Sequence, residues 1–485
     1  MDMITQSWAV RVYLMWEFMF SLIASFRHCF SRAASFHWFS TILIGIMVRS
    51  DRLGLTSVIR DLNLKGECYE KMMHFFRSDS WNLKTLHDHW HDIVRKMSIA
   101  FLHKDRLVFV IDGTKQSKEG HYMPGVKKMA NDSDTQSKPQ TMHGHMAGML
   151  SLLIGSEEKM SALPLKMTIQ DGVKEMSGWE GSNVSQESHL VQMFRMTSEA
   201  VNHFKQSSIV LADRLFLTMT ALAEIKKNND LSEYRLDMVT KCKSNVVAYT
   251  KPVARKGRGR PRKKGRAFHL NRFFNQKDRF KKTTMKMYGI EKEVYYHACN
   301  LLWGHGTFYE LRFVLVAYDN VTSILASTDL TMSAEEIISL YEKRFRIEHL
   351  FRSLKQYYGG FSYHFWTKAM PRLNRYKKKT DPDPLSQVTD PKERKRIIET
   401  LRATEMYLFI ANIAIGITMI ISIRYDIDPT EFRYQRTPVK KKPSEDNIQC
   451  YLRKWLFCNL TTEAGKSINS AIISNQHCPN QCAQL

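Results

Sequence analysis

The spacing of apolar residues divides the chain into a helical part and a part that alternates between strands and helices. Up to about residue 102, apolar positions recur at helical spacing. Beyond it, two continuous apolar runs, "RLVFVI" and "SSIVLA", lead directly into Asp112 and Asp213. Such runs are typical of buried strands, and each aspartate is predicted to end its strand. Helical patterns at about 187–205 and 217–229 flank the second run, so the order indicates a mixed α/β domain with a central sheet.

This alternation is interrupted between about residues 245 and 330. A basic run there is followed by two strand-like segments, "KEVYYHAC" and "TFYELRFVLVAYD". We interpret the region as a largely β insertion. The sequence therefore predicts five parts: a helical DNA-binding domain (1–102), the first part of the core (103–244), a β-rich basic insertion (245–330), the second part of the core (331–428) and a C-terminal tail (429–485).

The segment "YEKRFRIEHLFRSLK" (341–355) is predicted to form one helix with two faces. At 100° per residue, Tyr341, Arg344, Glu348 and Lys355 fall within roughly 60° of one another. The apolar residues between 347 and 354 occupy a separate sector. A helix that is buried on one side and lines a functional site on the other gives this pattern, and so does a solvated charged face.

Three carboxylates that are far apart in the sequence indicate a site for divalent metal ions. Asp112 and Asp213 lie at strand ends that converge on one sheet edge, and Glu348 lies on a helix that can pack against that edge. Carboxylates brought together repel one another unless they hold cations, and oxygen ligands favour Mg²⁺ or Mn²⁺. Two such ions about 3.5 to 4 Å apart can activate an attacking oxygen and stabilise the leaving one in phosphodiester cleavage. An aspartate at a strand end is often only a turn residue, so the joint order of the three acids is the stronger signal.

The charge balance indicates the substrate. The 485 residues carry a formal net charge of +24 with a pI near 9.6, and basic residues cluster in "RKGRGRPRKKGR" (255–266). Such an excess is typical of proteins with polyanionic partners. Arg344 and Lys355 can contact backbone phosphates beside the carboxylates, and Tyr341 can donate a hydrogen bond.

A membrane surface is the competing polyanion. Residues 406–423 are uncharged over 18 positions, which is the lower limit for a membrane span. We interpret them as a buried core helix, because their flanks are charged and no second span is evident. The N-terminal run contains charged residues and lacks a small-residue cleavage site, so it is not read as a signal peptide. We therefore expect a soluble protein of the cytoplasm, associated with the nucleoid and without a membrane partner.

Tyr341, Arg344, Glu348 and Lys355 together reproduce the Y-(2)-R-(3)-E-(6)-K signature of bacterial insertion-sequence transposases of the DDE class. "VIDGTK" (110–115) and "VLADRLF" (210–216) resemble the regions that carry the two aspartates of that family. The resemblance covers most of the chain from about 30 to 425. Where family members often have tryptophan, this sequence has Phe345.

This resemblance implies an α/β, ribonuclease-H-like catalytic core with a helical N-terminal domain and a β-rich insertion before the glutamate helix. It implies that Asp112, Asp213 and Glu348 are catalytic and hold Mg²⁺ or Mn²⁺, as two ions. It further implies that Tyr341, Arg344 and Lys355 hold double-stranded DNA at the transposon end. The implied activity is cleavage at terminal inverted repeats and transfer of the strands to target DNA, by a homodimer that pairs two ends. A non-mobile nuclease of the same fold and an inactive DNA-binding regulator are the alternatives.

Four further features have competing interpretations. The segments "TSVIRDLNL" and "CYEKMMHFFRS" flank a glycine and suit either a helix-turn-helix or an ordinary helical bundle. Arg258, Arg260 and Arg262 lie in "GRGRPRKKG", which resembles an AT-hook but suits a phosphate-contacting loop better. Trp303 occupies a region where related transposases stack a tryptophan on a flipped base, although a core role is favoured. His477, Cys478 and Cys482 approach the grouping of zinc ligands, but no paired CxxC supports such a site.

Overall fold

The computed structural model describes residues 8–131, 139–253, 261–287, 289–376, 382–425, 427, 443–459 and 466–477. The helices are α1 (Trp8–Ser25), α2 (Ala33–Val48), α3 (Leu55–Asp61), α4 (Cys68–Arg77), α5 (Leu83–Lys96), α6 (His189–Phe204), α7 (Met219–Leu231), α8 (Ala334–Lys343), α9 (Arg346–Gln356), α10 (Pro391–Arg424), α11 (Glu445–Asn459) and α12 (Lys466–Ile473). The strands are β1 (Leu102–His103), β2 (Arg106–Ser117), β3 (Lys127–Ala130), β4 (Thr141–Gly155), β5 (Met160–Ile169), β6 (Ser208–Ala212), β7 (Leu236–Lys241), β8 (Val247–Tyr249), β9 (Ala267–His269), β10 (Lys281–Met287), β11 (Ile290–His305), β12 (Thr307–Tyr318) and β13 (Val321–Ser327).

The strands form one mixed sheet with the order β3-β4-β2-β6-β7-β13-β12-β11-β8-β9. Strand β5 also pairs with β4, antiparallel, and β4 pairs antiparallel with β2. The central strands β2, β6 and β7 run parallel, with helices α6 and α7 in the connections. The apolar runs of β2 and β6 are buried on both faces, as predicted for central strands. This mixed α/β arrangement is compatible with a ribonuclease-H-like fold.

The strands between residues 247 and 327 extend the same sheet. The long hairpin of β11 and β12 is followed by β13, which pairs antiparallel with β7. The region predicted as an insertion is therefore joined edge to edge with the core. The boundaries of the five predicted parts stay a prediction.

The apolar segment 406–423 lies in α10, as predicted for a core helix. Among the described residues, α10 is the one helix long and apolar enough to cross a membrane, and 94% of its apolar window is buried within the protein. It packs against β5 and against helices of the N-terminal region. A Cβ at Gly416 would lie 2.7 Å from the ring of Trp90, so glycine permits the close approach of α5 and α10. The indole N–H of Trp90 donates to the carbonyl of Pro164.

The helices α3 and α4 correspond to the two segments predicted around the Gly66 break. Both pack against α2. Their contact with DNA remains a prediction.

Candidate active site

The parallel pairing of β2 with β6 brings two aspartates side by side. Ile111 pairs with Ala212, so the next residues along the two strands are Asp112 and Asp213. Asp213 keeps an extended backbone conformation as it leaves the sheet. Since neighbouring strands lie about 4.8 Å apart, the register places both aspartates at one edge of the parallel pair.

The prediction that Asp112 ends its strand is wrong. Strand β2 continues to Ser117, because residues 112–117 pair with β4 through the register Asp112–Met149 to Ser117–Gly144. The continuous apolar run stops at Ile111 for a different reason: the parallel neighbour β6 ends there, so the outer half of β2 is less deeply covered.

The prediction of a single helix over 341–355 is also wrong. Helix α8 begins with a capping box, in which Ser333 and Glu336 satisfy each other's backbone N–H groups, and it ends at Lys343. Helix α9 begins at Arg346, after a tight turn at Arg344 and Phe345. This turn is held by hydrogen bonds of the 3₁₀ type, in which an N–H donates to the carbonyl three residues earlier. Examples are Arg344 N–H to the Tyr341 carbonyl and Glu348 N–H to the Phe345 carbonyl. The tightened backbone rotates the two helical segments relative to one straight helix.

The turn places Arg344 between two carboxylates. Its guanidinium lies 3.1 Å from Asp112 Oδ2 and 3.4 Å from Glu348 Oε1. The side chain of Arg344 is 13% exposed and that of Asp112 is 19% exposed, whereas that of Glu348 is 43% exposed. Asp213 acts electrostatically on both Asp112 and Arg344. We call these four residues, Asp112, Asp213, Glu348 and Arg344, the carboxylate site.

Burial sets the protonation chemistry of this site. It raises the pKa of Asp112 to about 6, although Arg344 and the backbone N–H of Gly113 favour the charged form. Burial also opposes the charge on Arg344, but Tyr341 and the three surrounding carboxylates together raise its pKa. One guanidinium thus balances part of the charge of three acids. A formal excess of two negative charges remains.

The donor set of the carboxylate site fits divalent cations. Asp112, Asp213 and Glu348 come from three elements, offer only carboxylate oxygens, and carry the excess charge that a hard cation would neutralise. The three acids are the residues that would hold such an ion.

The predicted site residues Tyr341, Lys355 and Trp303 also lie in the part of the chain that the structure describes. The Tyr341 ring lies 5.9 Å from the Arg344 guanidinium. The ammonium of Lys355 donates to the carbonyl of Lys115 at 3.0 Å. Trp303 is partly buried in the β11–β12 hairpin, where it pairs with Tyr309 beside the turn and packs against the core.

The basic loop is described only in part. Arg258 and Arg260 lie outside the described residues, as do Cys478 and Cys482, and Arg262 is exposed. No contact of Arg262 with the carboxylate site is found in the described part of the chain.

One supporting residue escaped the sequence analysis. Thr240, fully buried in β7, donates its hydroxyl hydrogen to the backbone carbonyl of Asp213 at 2.9 Å. It anchors the point where the chain leaves β6. A threonine in a predicted strand next to the Asp213 strand was the available signal, but only the β6–β7 register identifies its partner.

The fold and the site together define a class: mixed α/β proteins that gather carboxylates at the edge of a central sheet to bind divalent metal. A family model described as "DDE superfamily endonuclease" matches residues 25–303, which is more than half of the chain, so the chain belongs to this superfamily. Its members act on DNA and use divalent metal ions. The matched segment includes Asp112 and Asp213 and stops before Glu348. No curated protein and no solved structure matches the chain.

Proposed function

We propose that this protein is a DNA transposase that binds the terminal inverted repeats of its own element, cleaves the strands and joins them to target DNA. The single observation that carries the proposal is the meeting of Asp112, Asp213 and Glu348 around Arg344, within a DDE endonuclease of net charge +24. The spacing of Tyr341, Arg344, Glu348 and Lys355 supports transposition over other nuclease activities.

The residues of the chain have separate tasks in this proposal. Asp112, Asp213 and Glu348 hold two Mg²⁺ or Mn²⁺ ions, which supply activation of the attacking oxygen and stabilisation of the leaving oxygen in phosphodiester cleavage. Arg344 orients the carboxylates through its two ion pairs and turns toward a DNA phosphate when metal neutralises them. Lys355 and Arg262 contribute positive charge to the DNA surface.

Two further statements belong to the proposal. In this proposal a homodimer pairs the two transposon ends, and the protein acts in the cytoplasm on nucleoid DNA. Because several phosphates must be neutralised, binding to any DNA must weaken steeply as the salt concentration rises.

The test is an end-specific reaction with the purified full chain and Mg²⁺. One duplex carries the repeat that flanks the gene, a second carries the same bases in scrambled order, and a circular plasmid serves as target. We expect cleavage at the repeat boundary and joined products from the first duplex alone. Equal cutting of both duplexes without joined product would identify a non-mobile nuclease. Tight binding without any cutting would identify a regulator.

A further inference from the structure

Two histidines and a cysteine meet in the N-terminal region, on the short 3₁₀ turn Phe26–Cys29 and on α5. Ligand atoms of His28, Cys29 and His89 all lie within 4.8 Å of one another. The two imidazole rings meet edge to face with their centroids 4.4 Å apart. Cys29 is a free cysteine and is 7% exposed, His89 is half-buried and His28 is exposed. The carboxylate site uses none of these residues.

Hydrogen bonds fix which nitrogen of His28 can bind a metal. His28 Nδ1 lies 2.8 Å from the carbonyl oxygen of Ser25. A carbonyl only accepts, so Nδ1 carries the proton and Nε2 keeps its lone pair. That Nε2 lies 3.5 Å from Cys29 Sγ. A tetrahedral zinc ion with bonds of about 2.0 Å to nitrogen and 2.3 Å to sulfur needs a separation of roughly 3.5 Å between the two donors.

The same serine fixes the tautomer of His89. The hydroxyl of Ser25 donates its one hydrogen to the carbonyl of Leu22 at 2.7 Å. It can therefore only accept from His89 Nε2, which lies 3.0 Å away, so this nitrogen carries the proton and Nδ1 keeps the lone pair. In metal sites, a ligating histidine donates its second ring N–H to such an oxygen. Ser25 provides that support to both histidines.

We propose that His28, Cys29 and His89 form a site for Zn²⁺ or a similar transition metal, with water as the fourth ligand. Imidazole nitrogen and thiolate sulfur are the donors that zinc prefers, whereas the Mg²⁺ proposed for the carboxylate site prefers oxygen. The metal ties the 3₁₀ turn to α5. Since Trp90, the next residue of α5, is hydrogen-bonded to Pro164 of β5, the site secures the N-terminal helices to the central sheet.

Cobalt replacement in the full chain tests the site. Co²⁺ is titrated into the reduced, metal-free protein in excess Mg²⁺, which occupies oxygen-ligand sites, and the near-ultraviolet charge-transfer band of a thiolate–cobalt bond is followed. Zinc affinity is then measured by displacement of that cobalt. We expect one equivalent of thiolate-bound Co²⁺ in the wild type. Cys29→Ser should abolish the band.

Matched variants separate this site from other thiols and from a folding defect. His28→Ala changes an exposed side chain, so its loss of zinc affinity cannot be assigned to a disrupted core. Ser25→Ala keeps all three ligands and should weaken zinc about 10- to 100-fold, and His28→Ala should weaken it more. Cys68→Ser, at another buried cysteine of the same region, and the double variant Cys478→Ser with Cys482→Ser should keep the band.

A second readout follows thermal unfolding. Zinc that binds the folded state alone raises Tm, so added zinc should raise the Tm of the wild type and of Cys68→Ser but leave that of His28→Ala unchanged. The proposal is overturned if the wild type gives no thiolate–cobalt band. It is equally overturned if the band survives Cys29→Ser, or disappears in the Cys478 and Cys482 double variant.

Discussion

Two positions along β2, its first residue Arg106 and Asp112 near its middle, belong to charged clusters of the same size and different composition. At the start of the strand, Arg106 contacts Asp237 at 3.1 Å and Asp329 at 3.0 Å, and Arg235 also contacts Asp237 at 2.7 Å. We call these four residues the Arg106 cluster. It has two cations for two acids, whereas the carboxylate site, around Asp112 and roughly 20 Å along the strand, has one cation for three acids.

The electrostatics of the two clusters differ accordingly. Burial would raise the pKa of Asp329, but hydrogen bonds from Thr331 and the charge of Arg106 together lower it. At the carboxylate site, burial prevails and raises the pKa of Asp112 to about 6. The Arg106 cluster is neutralised by the protein itself, which is typical of a structural network. The carboxylate site keeps unneutralised charge, which is the condition for binding a cation from solution.

The largest expected effect is on catalysis at the carboxylate site. Asp112→Asn, Asp213→Asn and Glu348→Gln keep the shape of each side chain and remove its charge, so each should lower the rate of strand cleavage at least about 1000-fold. Because the ligands act as one unit, a double variant should be barely slower than a single one. Binding of end DNA, measured on the same substrate, should persist. Multiplying losses in the double variant would contradict a shared metal site.

Substitutions in the Arg106 cluster should lower the stability of the fold. Asp237 is 1% exposed and pairs with two arginines, so Asp237→Asn should lower the free energy of unfolding by about 3 kcal/mol. Urea unfolding measures the loss, and Asp230→Asn, in an exposed pair with Lys226, is the control that should change stability by less than about 1 kcal/mol. Cleavage per folded molecule should stay near that of the wild type. A specific loss of cleavage would show that the two clusters are functionally coupled.

Arg344 has two expected roles: it is a counterion of the carboxylates and a candidate contact for a DNA phosphate. Arg344→Ala should leave metal-dependent cutting detectable but reduce it by roughly 10- to 100-fold, with weaker binding of end DNA. Arg352→Ala, on the exposed face of α9, removes the same charge and should have a much smaller effect. Equal losses in the two variants would reduce the role of Arg344 to general positive charge.

The smallest expected effect is a pH dependence at the Arg106 cluster. A carboxyl whose pKa is lowered by folding stabilises the protein above its usual value of 3.8, and this contribution is lost as the pH falls through the lowered value. The stability difference between wild type and Asp329→Asn should therefore be constant near neutral pH and shrink in acid. Urea titrations at a series of pH values measure it. A difference that grows in acid would have the wrong sign.

The same comparison shows how far the sequence could predict the molecule. The buried runs before Asp112 and Asp213 and the apolar helix α10 follow from local patterns, because each depends on the burial of its own residues. The continuation of β2 past Asp112 depends on β4, and the turn at Arg344 depends on its fit against β2. No local pattern reports such partners: Arg344 and Asp112 are separated by 232 positions in the chain. The Arg106 cluster escaped the sequence analysis for the same reason.

The most direct measurement of the central claim is to count the metal ions that the carboxylate site holds. Mn²⁺ is titrated into the metal-free protein on end DNA, and free Mn²⁺ is read from its electron paramagnetic resonance signal. We predict about two ions on the wild type and on Asp237→Asn. Binding should be lost in Asp112→Asn and Glu348→Gln, although both still hold the DNA. Unchanged Mn²⁺ binding by Asp112→Asn and Glu348→Gln would contradict the assignment of Asp112, Asp213 and Glu348 as the metal ligands.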